Sequence, residues 1–377
     1  MSISLYVHFP FCTNKCHYCD FYKEVHDKPT EAKFYQFLAV ELELAIEKIS
    51  DRTISTIFIG GGTPSLTNLD LFEKFIQQVK QNFTLAPNLE FSLECNPESI
   101  NLEVLSRLKE IGVTRPTYGL QSFNEKTLKV LGRDHNVHQS QQAIYFTNAL
   151  GYKTYGVDLI FGVPNQSSKM FSYDVEQLID LDPPHISFYQ LIFEKNTELY
   201  ERYLNKQIFP LNDDLILAMY KSGCEKFKNA GYVRYEICSF AKPYHECRHN
   251  ISYWDGSDYL GLGSSAHSFI DNVRFYNSSS LSDYFTALNK RELPRKIDES
   301  GIEERIAEAI MLGLRTEWGV NKKKFFKRFE KDVLKYLDEN QVERLQQSGH
   351  LIVDDEKIKL TDEGFFVIDE VIRLLVK

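Results

Sequence analysis

The sequence predicts an α/β protein built on a parallel sheet, and three observations lead to this class. Residues 1–192 alternate short runs rich in β-branched and aromatic residues with stretches that carry apolar residues at helical spacing. Parallel strands need crossover connections, which the helical stretches would supply. Hydrophobic residues make up 43% of the 377-residue chain, which is enough for a large core and excludes a mostly disordered protein.

Strands are predicted, in chain order, at residues 5–9, 56–60, 89–95, 115–120, 154–160 and 185–191. Helices are predicted at residues 32–49, 69–81, 101–111, 125–131, 138–150 and 171–181. In the first helix, for example, Phe34, Leu38 and Leu42 recur every four residues. Periodicity leaves open whether the sheet is doubly wound or curled into a full or partial barrel. In each form, the functional site is expected where loops leave the carboxyl ends of the strands.

The alternation fades beyond residue 200, so we divide the chain into residues 1–200, a connecting region at 201–300 and a C-terminal domain at 301–377. The connecting region contains a predicted helix at 213–230 and a stretch at 253–269 without a clear period. The C-terminal domain has predicted helices at 302–314, 321–329, 333–348 and 362–375, and strands at 351–353 and 358–360. This order is winged-helix-like. Acidic residues at 354–356 would lie in the wing, so a lid or packing module is favoured over DNA binding.

The charge balance limits the classes of partner. Lysine and arginine total 44 against 53 acidic residues, a net charge of -9, which argues against a nucleic-acid partner or a polybasic membrane anchor. No apolar run reaches the roughly 18 residues of a transmembrane segment, and the N-terminus does not have the pattern of a signal peptide. We therefore expect a cytoplasmic protein without a transmembrane segment.

Three of the seven cysteines, Cys12, Cys16 and Cys19, lie within eight residues directly after the first predicted strand. Thiolates are soft ligands that suit zinc or iron–sulfur clusters. A zinc site completed by His8 or His17 is one interpretation, but no second Cys-x-x-Cys or histidine pair follows downstream. Three thiolates can instead hold three irons of a [4Fe–4S] cluster and leave the fourth iron open.

An open iron can bind the amino and carboxylate groups of S-adenosylmethionine. An electron from the cluster would then break a C–S bond of the sulfonium and yield a 5′-deoxyadenosyl radical. A second motif, Gly60-Gly-Gly-Thr-Pro-Ser65, follows the second predicted strand. Its spacing differs from a G-x-G-x-x-G dinucleotide fingerprint. Three glycines without Cβ atoms would let the backbone approach a ligand closely, whereas a simple turn needs only one.

Further motifs are distributed over nearly the whole chain: Tyr6-Val-His-Phe-Pro-Phe-Cys12, Glu94-Cys-Asn-Pro97, Gly119-Leu-Gln-Ser-Phe123, Leu131-Gly-Arg-Asp-His135, Asp158-Leu-Ile-Phe-Gly162, His185-Ile-Ser-Phe-Tyr-Gln190, Cys247-Arg-His-Asn-Ile-Ser-Tyr-Trp254 and Tyr259-Leu-Gly-Leu-Gly263. Together with the two motifs above, this order resembles the radical S-adenosylmethionine superfamily. Within it, the chain resembles the family of oxygen-independent coproporphyrinogen III oxidases and HemW-like heme chaperones. The resemblance implies a partial (β/α)6 barrel with the site at its C-terminal mouth, covered by a mainly helical, winged-helix-like C-terminal domain.

The resemblance also implies roles for individual residues. Cys12, Cys16 and Cys19 would be the cluster ligands, and the residues expected around S-adenosylmethionine, or around a second copy of it, are Tyr6, Gly61, Gly62, Glu94, Gln121, Arg133, Asp158 and, through its backbone, Ile192. Carboxylates can pair with an ammonium group or bind ribose hydroxyls, and an arginine can hold a carboxylate. Without the resemblance, Glu94 or Asp158 would be interpreted as a helix-capping or solvated acid.

Two features favour the chaperone branch over the oxidases. The oxidases resemble Cys-x3-Cys-x2-Cys-x-Cys, but Phe21 stands at the position of the fourth cysteine. They also have a long N-terminal extension, whereas only eleven residues precede Cys12 here. In addition, the segment His249–Trp254 is similar to one implicated in heme binding. His249 is therefore a candidate axial ligand, although a structural histidine, or a ligand role for His8, His17 or His267, remains an alternative.

The resulting hypothesis is a heme chaperone that binds heme, a [4Fe–4S] cluster and S-adenosylmethionine, and that passes heme to an acceptor protein. The alternative is an oxidase that decarboxylates coproporphyrinogen III to protoporphyrinogen IX in porphyrin biosynthesis. A non-catalytic structural module is a third class. The cluster chemistry of the first two requires an electron donor of the flavodoxin or ferredoxin type.

Overall fold

The computed structural model describes residues 2–47, 49 and 53–377. The chain forms two compact units, one made of Met1–Lys226 with Asp258–Asp298, and the other of Phe227–Ser257 with Glu299–Lys377. The predicted division at residues 200 and 300 therefore differs from the structure, because residues 201–300 contribute to both units. The end of the first predicted helix includes residue 48, which lies outside the described residues.

Strands alternate with helices as far as residue 190, as predicted, and two further helices follow. The strands are β1 (Ser2–Phe9), β2 (Phe11–Cys12), β3 (Glu24–Val25), β4 (Thr53–Gly61), β5 (Thr84–Cys95), β6 (Arg115–Gln121), β7 (Gly156–Phe161) and β8 (His185–Gln190). The helices are α1 (Lys28–Ile46), α2 (Leu69–Asn82), α3 (Leu102–Ile111), α4 (Glu125–Leu131), α5 (Val137–Ala149), α6 (Ser168–Leu181), α7 (Glu198–Leu204) and α8 (Asp213–Asn229). All six predicted strands are confirmed, and β5 begins five residues earlier than predicted.

The long strands lie side by side in the order β1-β4-β5-β6-β7-β8, and each neighbouring pair is parallel. This arrangement follows from the helical crossovers between them. Four successive helices begin with an asparagine cap, whose side-chain oxygen accepts a backbone N–H of the first turn: Asn68, Asn101, Asn124 and Asn136. Such a cap stabilises a helix by about 1 kcal/mol. The caps thus fix where three of these helices begin after a strand and where α5 begins after α4.

For residues 230–298, the sequence pattern does not identify the individual helices and strands. They form β9 (Val233–Glu236), β10 (Ser239–Ala241), α9 (Arg248–Trp254), β11 (Tyr259–Leu262), β12 (His267–Ile270), β13 (Val273–Asn277), α10 (Leu281–Asn289) and β14 (Arg295–Ile297). Strand β11 pairs in parallel with the free side of β1, and β12, β13 and β14 continue the sheet antiparallel. The sheet of the first unit is therefore mixed and larger than the six predicted strands.

A buried carboxylate holds this added part of the sheet against α1. Glu41 accepts hydrogen bonds from Gly263 N (2.8 Å), Asn277 Nδ2 (2.6 Å) and the Tyr284 hydroxyl (2.6 Å). Burial raises the pKa of Glu41, while these three bonds oppose the rise. A buried carboxyl group needs such partners, because leaving it unpaired costs several kcal/mol.

The C-terminal residues form α11 (Ile302–Leu314), β15 (Val320–Asn321), α12 (Lys322–Phe329), α13 (Glu339–Gln347), β16 (Leu351–Val353), β17 (Lys357–Leu360), α14 (Asp362–Phe365) and α15 (Ile368–Leu375). The predicted helix at 333–348 is wrong in its first part, because Val333–Tyr336 is a short 3-10 turn and Asp338 caps a new helix. Ile310, Phe325 and Leu375 belong to the core of this part. Among the helices of the described residues, none combines the length and apolar character needed to cross a bilayer.

Candidate functional site

The three clustered cysteines lie in and before the loop between β2 and β3. Cys12 ends β2 and is buried, whereas Cys16 and Cys19 are partly exposed. Burial raises the pKa of the Cys12 thiol, and the Cys16 and Cys19 thiols are near enough to raise it further, while a hydrogen bond from Thr63 lowers it. The fold thus brings together the three thiols that the sequence singled out.

The cysteine loop is held in place by the turn that follows α4. The backbone N–H of His17 donates to Leu131 O (3.0 Å), and Asn14 Nδ2 donates to Asp134 Oδ2 (2.8 Å). Gly132, which ends α4 with φ +68°, lies directly under the His17 ring, and a Cβ there would come within 2.5 Å of the ring. These contacts fix the cysteine loop against the end of α4.

Both histidines that could complete a zinc site already have partners on both ring nitrogens. His8 hydrogen-bonds the Tyr6 hydroxyl (3.1 Å) and Tyr22 O (2.9 Å). His17 hydrogen-bonds Val130 O through Nδ1, and its Nε2 lies 3.4 Å from Glu198. Within residues 2–47, 49 and 53–377, no three His, Cys, Asp or Glu side chains surround one point closely enough to hold a single ion.

In a tetrahedral zinc site the thiolate sulfurs would be only about 3.8 Å apart, from Zn–S bonds of about 2.3 Å. A cluster instead gives each thiolate its own iron, so the sulfurs lie further apart. Because His8 and His17 already have partners for both ring nitrogens, three thiols in one loop fit a cluster with an open iron better than a zinc site completed by either histidine.

A hydrogen-bonded chain of three side chains links two of the cysteines. The Thr63 hydroxyl donates to Cys12 Sγ (3.4 Å) and accepts from Asn96 Nδ2 (3.2 Å). Asn96 Oδ1 in turn accepts from Arg133 Nη2 (2.7 Å), and Arg133 Nη1 donates to Cys16 Sγ (3.3 Å). Sequence reasoning missed Thr63 and Asn96, although both stand inside quoted motifs, at Gly60–Ser65 and Glu94–Pro97.

The glycine motif lies at the end of β4, where it packs tightly on neighbouring protein atoms. A Cβ at Gly62 would lie 2.5 Å from Phe11 O, and a Cβ at Gly61, which has φ +110°, would lie 2.7 Å from the His8 ring. Gly62 N also donates to Phe9 O at 2.7 Å. Internal packing thus requires at least these two glycines, and contact with a ligand remains a prediction.

Two carboxylates face the same side of the sheet: Glu94 is the penultimate residue of β5, and Asp158 is the third of the six residues of β7. The strand register places Glu94 of β5 opposite Thr117 of β6, and Gly119 of β6 opposite Asp158 of β7. Burial and the charge of Asp158 raise the pKa of Glu94 to about 7. Burial also raises the pKa of Asp158 to about 6, although a hydrogen bond from Ser187 opposes the rise. A cation between Glu94 and Asp158 would stabilise both carboxylates and so lower both pKa values.

Replacing Glu94 with glutamine should weaken the pH dependence of stability in the cofactor-free protein. The folded state keeps a proton on Glu94 up to about pH 7, whereas an unfolded chain releases it near the ordinary value of 4.5. Because the folded state binds more protons between these values, the wild-type free energy of unfolding falls as pH rises from about 4.5 to 7 and is level above. We expect the variant to be about 1–3 kcal/mol more stable than wild type at pH 8.

Urea unfolding at half-unit steps from pH 5 to 8 measures this effect, with the exposed Glu343→Gln as control for loss of one acidic charge. Identical pH profiles for wild type and Glu94→Gln would show that Glu94 is ionised normally in the folded protein.

Two buried polar atoms at this site have no hydrogen-bond partner among the described residues, namely Gln121 Oε1 and Arg133 Nε. Gln121 is buried, has φ +67° and ends β6 just beyond a register shift between Gly119 and Gln121. Unsatisfied buried polar atoms cost about 1–3 kcal/mol each. Their presence beside the cysteines fits a polar ligand that would complete these bonds.

The remaining candidate residues have different surroundings. Tyr6 lies beside Glu94. Burial raises the pKa of the Tyr6 hydroxyl, and the charge of Glu94 raises it further. Ile192 follows β8 and its side chain is exposed, and the contact through its backbone stays a prediction. His249, in the second unit, is fully buried, and its Nε2 is 2.8 Å from the Tyr253 hydroxyl. Burial lowers the pKa of His249 to about 3, and a role of this residue as axial ligand stays a prediction.

Parallel strands joined by helices, with a three-cysteine loop directly after the first strand, fit the class of radical S-adenosylmethionine proteins. Residues 6–178 match the family model of the radical SAM superfamily, and residues 303–367 match the HemN C-terminal domain. The chain is 31% identical over 370 residues to heme chaperone HemW of Bacillus subtilis, covering 98% of this chain and 97% of that one. It is 36% identical over 266 residues to heme chaperone HemW of Escherichia coli, covering 70% and 69% of the two chains.

A solved structure described as coproporphyrinogen III oxidase (HemN) from Escherichia coli superposes with a TM-score of 0.85 at 22% identity, covering 99% of this chain and 89% of that one. This similarity confirms the fold class of a radical SAM protein with a helical C-terminal part. The sequence relationship is closer and extends over the full length. The chain belongs to the HemW family.

Proposed function

We propose that this protein is a heme chaperone, which binds heme, holds a [4Fe–4S] cluster together with S-adenosylmethionine, and delivers heme to an acceptor protein. The observation that carries the proposal is the full-length relationship to proteins named heme chaperones. The residue at position 21 supports the proposal, because Phe21 stands where the oxidases carry a fourth cysteine. The side chain of Phe21 is 70% exposed.

Cys12, Cys16 and Cys19 would each bind one iron of the cluster, and the fourth iron would take S-adenosylmethionine. When reduced, a cluster of this type supplies the electron that breaks a C–S bond of the cofactor. The chain through Thr63, Asn96 and Arg133 would donate hydrogen bonds to two of the thiolates. Such bonds stabilise the charged sulfur and tune the reduction potential of a cluster.

S-adenosylmethionine carries a positive sulfonium and an ammonium group, and the carboxylates of Glu94 and Asp158 would favour such a cation. Gln121 and Arg133 would use their unpartnered atoms for polar groups of the cofactor or of a second copy. Contacts to the methionine part and beside the cluster would come from Tyr6, Gly61, Gly62 and the backbone of Ile192.

An electron donor of the flavodoxin or ferredoxin type and a heme-accepting protein would be the partners, and the cytoplasm would be the compartment. No nucleic-acid partner is proposed, because the net charge of -9 opposes it.

Two parallel anaerobic assays on the reconstituted protein test the proposal. One titrates heme into the protein, and the other incubates it with coproporphyrinogen III, S-adenosylmethionine and a reductant. Heme binding in the micromolar range or tighter, without decarboxylated porphyrin, is the expected result. Catalytic formation of protoporphyrinogen would identify the protein as an oxidase, and absence of heme binding would contradict the proposed chaperone function.

A further inference from the structure

The cysteine loop contains a buried lysine. Lys23 lies directly before β3, and its exposed fraction is only 8%. Lysine is almost never fully buried unless its ammonium group is paired with an opposite charge. Among the described residues, the ammonium group of Lys23 donates to two backbone carbonyls, Cys19 O at 2.5 Å and Phe21 O at 3.3 Å, and forms an ion pair with no carboxylate. A positive charge is therefore buried in the loop without a negative side chain to balance it.

The backbone on both sides of Lys23 is held by other parts of the fold. His8 hydrogen-bonds Tyr22 O through Nε2 at 2.9 Å, and β3 pairs with β2 directly after Lys23. From this fixed base, the side chain of Lys23 reaches back to the carbonyl group of Cys19 and closes residues 19–23 into a ring. Lys23 thus ties the third cysteine of the loop to β3.

The cysteines of the loop can supply the negative charge that Lys23 lacks. A cysteine ligates a metal as the thiolate, so the three thiols become anionic when they bind iron. The ammonium group is close enough to Cys12 for its charge to oppose the rise in the Cys12 pKa that burial causes. Asp20 and Glu24 are exposed, so water and salt screen their charges. The burial of Lys23 therefore fits a loop that carries thiolates in its functional state.

Each cysteine of the loop is bound by a different polar side chain: Thr63 at Cys12, Arg133 at Cys16 and Lys23 at Cys19. Two of these three donors are cations, in a chain whose net charge is -9. Arg133 donates to a sulfur, whereas Lys23 donates to a backbone carbonyl. The contact of Lys23 therefore fixes the backbone of its cysteine, and its charge acts on the sulfurs through space.

We propose that Lys23 is a positioning residue for Cys19 and that its charge raises the reduction potential of the bound cluster. The second part rests on the proposed function. One electron from a donor of the flavodoxin or ferredoxin type adds one negative charge to the cluster. A buried ammonium group stabilises this charge more than a solvated one does, because the protein interior screens it less than water. The net charge around an iron–sulfur cluster is one of the factors that set its potential.

The midpoint potential of the cluster in matched variants of the full-length protein tests the effect of the charge. Lys23→Met keeps an apolar stem and removes the ammonium group, whereas Lys23→Arg keeps a cation. Lys15→Met is the control, because Lys15 lies in the same loop but is exposed. In an anaerobic redox titration followed by electron paramagnetic resonance, we expect the potential of Lys23→Met to fall by about 59 mV, a tenfold change for one electron. Lys23→Arg should stay within about threefold of wild type, and Lys15→Met within about twofold.

Amide hydrogen exchange of the cofactor-free protein tests the positioning of Cys19 without the cluster. Peptides that cover residues 16–23 should exchange at least about fivefold faster in Lys23→Met than in wild type, because the loop opens more often without its ring. The same peptides in Lys15→Met should exchange as in wild type. This measurement also decides the case in which Lys23→Met assembles no cluster.

The outcomes separate this inference from the proposed function. An unchanged potential in Lys23→Met, or an equal fall in Lys15→Met, would overturn the role of the buried charge and leave the proposed function standing. Unchanged exchange in Lys23→Met would overturn the positioning of Cys19. A wild-type protein that holds no cluster after reconstitution would contradict the proposed function, while faster exchange confined to residues 16–23 of Lys23→Met would still support the positioning role.

Discussion

Replacing Cys16 with alanine should reduce the iron content of the anaerobically reconstituted protein from about four atoms per chain to fewer than one. Two remaining thiolates cannot retain a cluster that needs three protein ligands. The change also removes the sulfur that accepts from Arg133 Nη1, which ends the hydrogen-bonded chain to Cys12. Iron and sulfide analysis, with absorbance near the charge-transfer bands of the cluster, measures the result.

Cys224→Ala is the matched control, because this cysteine is equally partly buried but lies outside the loop. It should keep its iron at the wild-type level. Full iron content in Cys16→Ala would mean that other side chains hold the metal, and the assignment of the loop would then be wrong.

Arg133→Lys should weaken S-adenosylmethionine binding by about 10–100-fold and lower the free energy of unfolding by about 1–3 kcal/mol. The planar guanidinium reaches Cys16, Asn96 and Gly119 O at once, at 3.3, 2.7 and 2.9 Å. A lysine keeps the charge but has one nitrogen, so it cannot bridge these acceptors. Because lysine carries the same charge as arginine, weaker binding and lower stability of this variant would report the geometry of the guanidinium and not its charge.

Isothermal titration with S-adenosylmethionine on reconstituted protein, and urea unfolding of the cofactor-free protein, measure the two effects. Arg107→Lys is the control, since Arg107 pairs with Glu73 and Glu110 on the surface. It should bind the cofactor as wild type does. If Arg133→Lys bound S-adenosylmethionine normally, the hydrogen-bonded chain would be irrelevant to the cofactor.

Local patterns predicted the six parallel strands, because each strand is followed by its own helix and the next strand lies beside it. They failed for β11, a four-residue strand with a glycine, Tyr259–Leu262, whose neighbour β1 is at the other end of the chain. Periodicity carries no information on such distant pairing. Glu41 was missed for a related reason, since an acid on a helix is ordinarily exposed, and its three partners are more than 200 residues away.

In the candidate site, too, local patterns identify some features and not others. The spacing of the cysteines within one loop is visible in the sequence, and so is the glycine run. The link from Thr63 through Asn96 to Arg133 depends on how the ends of β4, β5 and α4 meet, which no local pattern specifies. The exact fit of Gly61 and Gly62 against β1 and β2 also depends on register. The sequence therefore identified the groups, and the structure supplied their connections.

The position of β1 between β4 and β11 has a consequence for synthesis of the protein on the ribosome. At about 5–20 residues per second, residues 259–262 emerge about 12–50 s after β1. During this interval the nascent chain carries its cysteine loop directly after a strand with an open edge, which is a template for wrong pairing. A chain that ends before residue 259 retains that open edge permanently, so premature termination would release an aggregation-prone fragment that still contains all three loop cysteines.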